Sequence, residues 1–339
     1  PVLSSLVWLL AAISIFASVL PVQAGLVQSQ PERVITRNPA ATVRFGNLSE
    51  DDGLSNNHVQ AILQDQNGFL WFGTQDGLNK YNGYEFTIYR HDVNRSASIS
   101  SNHISVLFED SQGIIWIGTD TGLDRYDPRT GIFSHYQHNA ESENSFKGSR
   151  VLCITEDKDG NLWIGTNNGG LNRFNPNSHI FTNYRHEIND NTSLASDYVR
   201  VVLEDRRGNL WVGTNQGLDR FDTETQNFIH YQHSPQIRNR IGEGTISTLA
   251  EDNQGILWIG TSEGLIQRFD PRLEVFSNYE FDAGNELPEA NDVVWKLKFD
   301  QNNGLWIGAS SGLYHMNTSN GETIYYNHLP NDPANLVNR

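Results

Sequence analysis

LWFGTQDGLNKYNG, residues 70–83, is written six times along this chain with small changes. The later copies are IWIGTDTGLDRYDP from Ile115, LWIGTNNGGLNRFNP from Leu162, LWVGTNQGLDRFDT from Leu210, LWIGTSEGLIQRFDP from Leu257 and LWIGASSGLYHMNT from Leu305. Their tryptophans, Trp71, Trp116, Trp163, Trp211, Trp258 and Trp306, stand 45, 47, 48, 47 and 48 residues apart. A unit of that length cannot bury its own apolar face, so neighbouring units must stack on one another.

One unit reads as four short strands. ISVLFED (104–110) is apolar and β-branched, DSQG (110–113) is a polar turn, and IIWIGT (114–119) is a second apolar strand. Gly-Leu then turns the chain into LDRYD (123–127), and PRTG (128–131) leads to IFSHY (132–136). Each hairpin turn opens with an aspartate six residues before the tryptophan: Asp65, Asp110, Asp157, Asp205, Asp252 and Asp300. Its last residue needs a positive φ, which Gly adopts without steric cost and which Asn303 tolerates in the sixth copy. The fold class expected is all-β, a β-propeller of four-stranded antiparallel blades. The tryptophans hold one register in every unit, which favours packing between blades over sugar stacking. The same reading applies to Tyr81, Tyr126, Phe174, Phe221 and Phe269.

The two ends match the repeat out of phase. VRFGNLSEDDGLSNNHV (43–59) aligns with the fourth strand and crossover of later units, so the chain is expected to enter on an outer strand that closes the last blade. YYNHLPNDPANLVNR (325–339) matches the crossover at 136–151. The expectation is six complete blades plus the start of a seventh, a fragment of a seven-bladed ring truncated at the C-terminus. Residues 1–24 read as a secretory signal with its positive n-region missing, since Leu6 to Leu20 is nearly unbroken apolar and Val22-Gln23-Ala24 offers small residues for cleavage. An uncleaved anchor is the alternative, for which the apolar run is short. Residues 25–41 read as a polar linker and 42–339 as the β-propeller domain.

The formal net charge of −16 excludes nucleic acid and anionic membrane surfaces as natural partners. Cys153 is the single cysteine, which leaves no disulfide framework, and its place in VLCITED suits a buried apolar side chain. His91, His138, His186, His233 and His328 recur in a Tyr-x-His pattern. One per blade spreads them around a ring, so they fill loops rather than gather on a metal ion. No cofactor motif is present in the sequence.

The repeated unit (E)DxxGxxWxGTxxGLxR(Y/F)(D/N) and the phrase GLSNNHVQAILQDQNGFLWFGTQDGLNKYNGYEF resemble the two-component regulator propeller repeats. These form the periplasmic sensor regions of bacterial hybrid histidine kinases and of related diguanylate cyclases. The resemblance covers about residues 43–339. It implies a seven-bladed ring, a second propeller, a β-sandwich and a membrane-linked output domain in the full-length protein, with dimerisation and anchoring in the inner membrane. It also implies sensing of an oligosaccharide or other small extracellular ligand.

In a propeller the loops between strands two and three share one face with the crossovers, around the mouth of the central channel. The variable polar residues of that rim are the candidate ligand contacts: Asp76, Asp120, Asn167, Asn168, Asn215, Gln216 and Glu263. To these are added residues at the start of the innermost strands, His58, His103, Arg150 and Tyr198. They vary while the frame does not, which is how such scaffolds specialise. No catalytic residue is assigned, and the chain is expected not to be an enzyme. The alternatives are a secreted polysaccharide lyase or glycosidase, or a protein-binding scaffold. The repeated aspartates belong to turns on the opposite face, whereas an enzyme would need an unrepeated cluster of His, Arg and carboxylates at the channel.

Overall fold

The computed structural model describes residues 35–37, 46–233, 240–279 and 292–326, all within one compact unit, Arg33–Arg339. Six four-stranded antiparallel blades follow in chain order. Blade 1 is β2 (Val59–Gln64), β3 (Leu70–Thr74), β4 (Gly77–Tyr81) and β5 (Phe86–Tyr89). Blade 2 is β6 (Ile104–Glu109), β7 (Ile115–Thr119), β8 (Leu123–Asp127) and β9 (Ile132–Tyr136). Blade 3 is β10 (Val151–Glu156), β11 (Leu162–Thr166), β12 (Leu171–Asn175) and β13 (Ile180–Tyr184). Blade 4 is β14 (Val199–Glu204), β15 (Leu210–Thr214), β16 (Gly217–Asp222) and β17 (Asn227–Tyr231). Blade 5 is β18 (Ile246–Glu251), β19 (Leu257–Thr261), β20 (Ile266–Asp270) and β21 (Val275–Tyr279). Blade 6 is β22 (Val294–Phe299), β23 (Gly304–Ala309), β24 (Gly312–Asn317) and β25 (Thr323–Tyr326).

The repeated aspartate holds each hairpin together. In blade 2, Asp110 Oδ1 accepts the backbone N–H groups of Gln112 and Ile114 at 2.9 Å, while Oδ2 accepts the Trp116 indole N–H at 2.7 Å. Four other blades repeat the indole bond, at 2.8 Å for Trp71, 2.8 Å for Trp163, 2.9 Å for Trp211 and 3.1 Å for Trp258. Blade 6 departs from this: His315 Nε2 meets Asp300 Oδ2 at 2.8 Å, and the imidazole stacks on Trp306. The turn residues take the positive φ the motif requires, 78° at Gly113 and 62° at Asn303.

Each tryptophan of the first five blades faces the next blade. Trp116 meets Phe174 edge-on with centroids 5.6 Å apart, and Trp163 meets Phe221 at 5.0 Å. Beside it, the strand-two glycine lets the next inner strand approach: a Cβ on Gly165 would stand 2.6 Å from Val199 Cγ1, and one on Gly213 would stand 2.6 Å from Ile246 Cγ2. A glutamate at the end of each of four inner strands latches the previous blade. Glu109, Glu156, Glu204 and Glu251 accept the backbone N–H of Gln66, Ser111, Lys158 and Arg206 at 2.7–3.0 Å. Burial raises the pKa of Glu109, Glu204 and Glu251, against the lowering effect of the bond they accept. Cys153 is buried as expected, and desolvation pushes its thiol up to about 12.

The ends of the chain are described only in part. The outer strand expected around Phe45 lies outside the described residues, as do His328 and the apolar segment 6–20. Within the stretch read as a polar linker, Ile35–Arg37 forms a strand, β1, that pairs parallel with β25 as a fifth strand of blade 6. Backbone pairing at an open edge uses N–H and C=O groups alone, so a polar composition does not forbid it. Among the described residues, the inner strands of blades 1 to 6 pack in sequence, and β22 is not packed on β2 in the same way.

Candidate functional site

The mouth of the ring is framed by polar side chains and the crossovers they hold. A buried polar residue on the third strand of each of the first five blades accepts a backbone N–H from the crossover that enters its own blade. Asn79 Oδ1 takes it from Ser55, Asp124 Oδ2 from Ser100, Asn172 Oδ1 from Lys147, Asp219 Oδ2 from Ala195 and Gln267 Oε1 from Gly242, at 2.7–2.9 Å. The recurrent histidines clamp the same crossovers: Nδ1 of His91, His138, His186 and His233 meets the carbonyl oxygens of Ile99, Phe146, Leu194 and Ile241. Those four apolar residues are buried plugs. The strand-two-to-three loops lie on this same face, as Asn167 N–H to the Arg150 carbonyl and Ser262 N–H to the Thr245 carbonyl demonstrate.

Each inner strand carries a β-bulge at its second residue, placing Gln60, Ser105, Leu152, Arg200, Ser247 and Trp295 there. A bulge re-aims a side chain. The structure brings together three of the expected residues and one of these. Asp120 Oδ1 stands 3.3 Å from both His103 Nδ1 and Arg150 Nε. Gln60 completes the link, accepting from Arg150 Nη2 at 3.2 Å and meeting His103 Nε2 at 3.2 Å. His103 Nδ1, Asp120 Oδ1 and Arg150 Nε are buried without a well-aligned hydrogen bond. A second group lies on blades 4 and 6: Arg200 Nη1 donates to Tyr198 Oη at 3.1 Å, and its guanidinium carbon lies 5.8 Å from the Trp295 ring centroid. Lys296 follows Trp295 in β22 and pairs with Gly308 of β23. Lys296 is exposed, yet desolvation by its surroundings lowers its pKa.

The remaining rim residues divide. Asn167 and Asn168 surround Ser149, and Asn168 helps line a cleft of about 640 Å³ with Asp120, Lys147 and Arg185. Asn215 and Gln216 line a smaller cleft of about 220 Å³ beside His233. Asp76 is tied to Arg90 at 2.9 Å, Glu263 accepts from Ser262, and His58 is exposed. Gln60, Arg200, Trp295 and Lys296 were missed by the sequence reading. The signal for three of them was one register position two residues past His58, Tyr198 and Val293, inside what reads as plain strand.

Two-component regulator propeller repeats match at residues 53–76, 98–121, 145–168, 193–216 and 241–263, and these five repeats are of that family. A histidine kinase P4 of Formosa agariphila is 48% identical over 54 residues, 16% of this chain and 4% of that protein. Among solved structures, the extracellular domain of a hybrid two-component system from B. thetaiotaomicron is 27% identical with a TM-score of 0.72, covering 88% of this chain and 38% of that one. Virginiamycin B lyase from Staphylococcus aureus is 16% identical with a TM-score of 0.60, covering 84% and 88% of the two chains, a likeness of fold alone. The chain thus spans a small part of its two-component relatives.

Proposed function

We propose that this chain is the ligand-sensing propeller of a bacterial signal-transduction receptor, exported to the periplasm, that recognises a carbohydrate or other small extracellular ligand at the channel mouth. The signal passes to a cytoplasmic kinase or cyclase on the same full-length, membrane-anchored protein. The observation that carries this reading is the unrepeated His103, Asp120, Arg150 and Gln60 cluster on an otherwise repeated frame. The likeness to a two-component extracellular domain supports the sensor class.

The same cluster is what favours a second reading, a polysaccharide-cleaving enzyme. A glycosidase works with two carboxylates flanking the bond. Among the described residues, Asp120 is the one carboxylate bonded into this cluster, and it is already engaged by His103 and Arg150. Titration calorimetry against a panel of oligosaccharides separates the readings. Saturable binding without turnover, weakened by R150Q or H103Q, is expected of the sensor. Sustained heat with product release would make the chain an enzyme, and no response across the panel would overturn the carbohydrate reading.

The ring is completed, in this proposal, by a seventh blade between blades 6 and 1. Ile62 is 65% exposed, whereas its counterparts Leu107, Ile154, Val202, Leu249 and Leu297 are 2–8% exposed. Gln64 stands where the inner strands of blades 2 to 5 place the latch glutamate. A Cβ on Gly308 would meet nothing closer than Lys296 at 3.9 Å, although the equivalent glycines touch a neighbouring inner strand.

A further inference from the structure

We infer that the crossovers entering blades 2 and 4 are held to their outer strands by protonated histidines, His135 and His230, and are released as pH rises, so that the mouth of the ring responds to protons at two of its loops.

His135 of β9 stands opposite Asp124 of β8, and His230 of β17 opposite Asp219 of β16. Nδ1 of each imidazole meets its carboxylate at 2.7 Å, and Nε2 meets a crossover carbonyl oxygen, that of Ser96 at 3.1 Å or of Asn191 at 2.9 Å. Both ring nitrogens thus face acceptors, and an imidazole that donates twice is the imidazolium. Each carboxylate accepts a second bond from the same crossover, from the N–H of Ser100 or Ala195. Two accepted N–H bonds favour its charged form, which leaves the proton on the imidazole. Asp124 and Asp219 are completely buried, so each needs the cation beside it. Loss of the proton leaves a buried anion and turns the Nε2 lone pair onto a carbonyl oxygen, and the crossover lets go.

The crossovers contribute Asp92 and Arg95 on the blade 2 side, and His186, Glu187 and Asp190 on the blade 4 side. Asp92 and Asp190 are turned onto the N–H groups of Asn94 and Thr192, and His186, which bears on Asp219, meets the Leu194 carbonyl. The strand carboxylates hold both histidines above the ordinary histidine value, against the effect of burial. The hold is therefore complete below about pH 6.5 and lost as pH rises through the raised value.

Blade 3 has the same device without charge. Asn172 and Asn183 occupy the two strand positions, Asn172 accepting the Lys147 N–H and Asn183 Nδ2 donating to the Glu143 carbonyl at 3.2 Å. Ser96, Glu143 and Asn191 each lie four residues before the anchored N–H. The three crossovers also share one turn, with the N–H of Ser98, Ser145 and Ser193 bonded to the carbonyls of Arg95, Ser142 and Asp190. An amide pair is sufficient for the hold, and exchanging it for a carboxylate and a histidine adds the response to pH.

Hydrogen–deuterium exchange of the full chain from about pH 5.5 to about pH 9, corrected for the intrinsic rate at each pH, tests this on the turn amides. Protection of Arg95 and Ser98, and of Asp190 and Ser193, should fall about fivefold or more over that range, while Ser142 and Ser145 stay level. D124N/H135N, which copies the blade 3 pair, should abolish the response of the blade 2 crossover alone, and N172D/N183H should confer one on the blade 3 crossover. The unaltered protein carries its own reference in blade 3, so the comparison stands even where a variant fails to fold. Protection that is constant with pH in all three crossovers, a fall that is equal in all three, or a blade 2 response that survives D124N/H135N overturns the inference.

Discussion

Substituting Asp110 by Asn tests whether the repeated aspartate is a clamp on its own blade. The carboxylate accepts three N–H groups, from Gln112, Ile114 and the Trp116 indole. The asparagine oxygen can keep the two backbone bonds, but its amide then points donor against donor at the indole. Trp116 is 1% exposed, so water cannot take over that bond. An unsatisfied buried donor costs about 1–3 kcal/mol, and replacing a charged acceptor weakens the other two bonds, so D110N should lose about 2–4 kcal/mol. W116F removes the same donor, and the double variant should recover a coupling of about 1.5–3 kcal/mol. Urea unfolding supplies the energies, provided the slope against denaturant is unchanged. Blade 6 is the internal control: Trp306 lacks this bond and the Asp300 side chain is 28% exposed, so D300N should cost less than about 1 kcal/mol. A D110N loss below about 0.5 kcal/mol, or additive D110N and W116F effects, would refute the clamp.

Other expectations follow from the packing and the titrating groups. G165A should lose about 1–3 kcal/mol by overpacking against Cys153 and Val199, whereas G308A should be neutral in urea unfolding unless another blade covers it. The Asp124 carboxylate bonded to His135, and Asp219 bonded to His230, raise both histidine pKa values against the effect of burial. A raised folded value means stability fully present below the ordinary histidine value of about 6.5 and lost as pH rises through the folded one. Denaturation midpoints should therefore fall over that window, and the double variant H135Q/H230Q should flatten the fall. Because burial raises Glu251, ionising it costs stability as pH rises through its folded pKa. E251Q, which keeps the acceptor for Arg206 N–H, should stay within about 1 kcal/mol of the parent in thermal unfolding at neutral pH, and E251A should lose more.

The frame was legible because it is written repeatedly. Trp, Gly and Asp at fixed offsets mark strand, turn and clamp, and the positive φ of Gly113 or Asn303 follows from local sterics. The rim was legible in part: His103, Asp120 and Arg150 do converge, although 17 and 47 residues separate His103 from the other two. Arg200 and Trp295 escaped because a strand pattern of period two assigns faces only where the register is regular, and the bulge breaks it. The parallel pairing of Ile35–Arg37 escaped because backbone pairing at an edge leaves little trace in side-chain type.

The histidine clamps and third-strand anchors fasten adjacent residues of a crossover, Ile99 and Ser100 before blade 2 and Phe146 and Lys147 before blade 3. The outer strands hold it at one point more, His135 on the Ser96 carbonyl and Phe181 N–H on the Asn144 carbonyl. Between such points a loop can lengthen at small cost, since the entropy of closing it grows only with the logarithm of its length. The molecule thus separates its vocabulary from its grammar, and new recognition can be written into one loop without rewriting the ring.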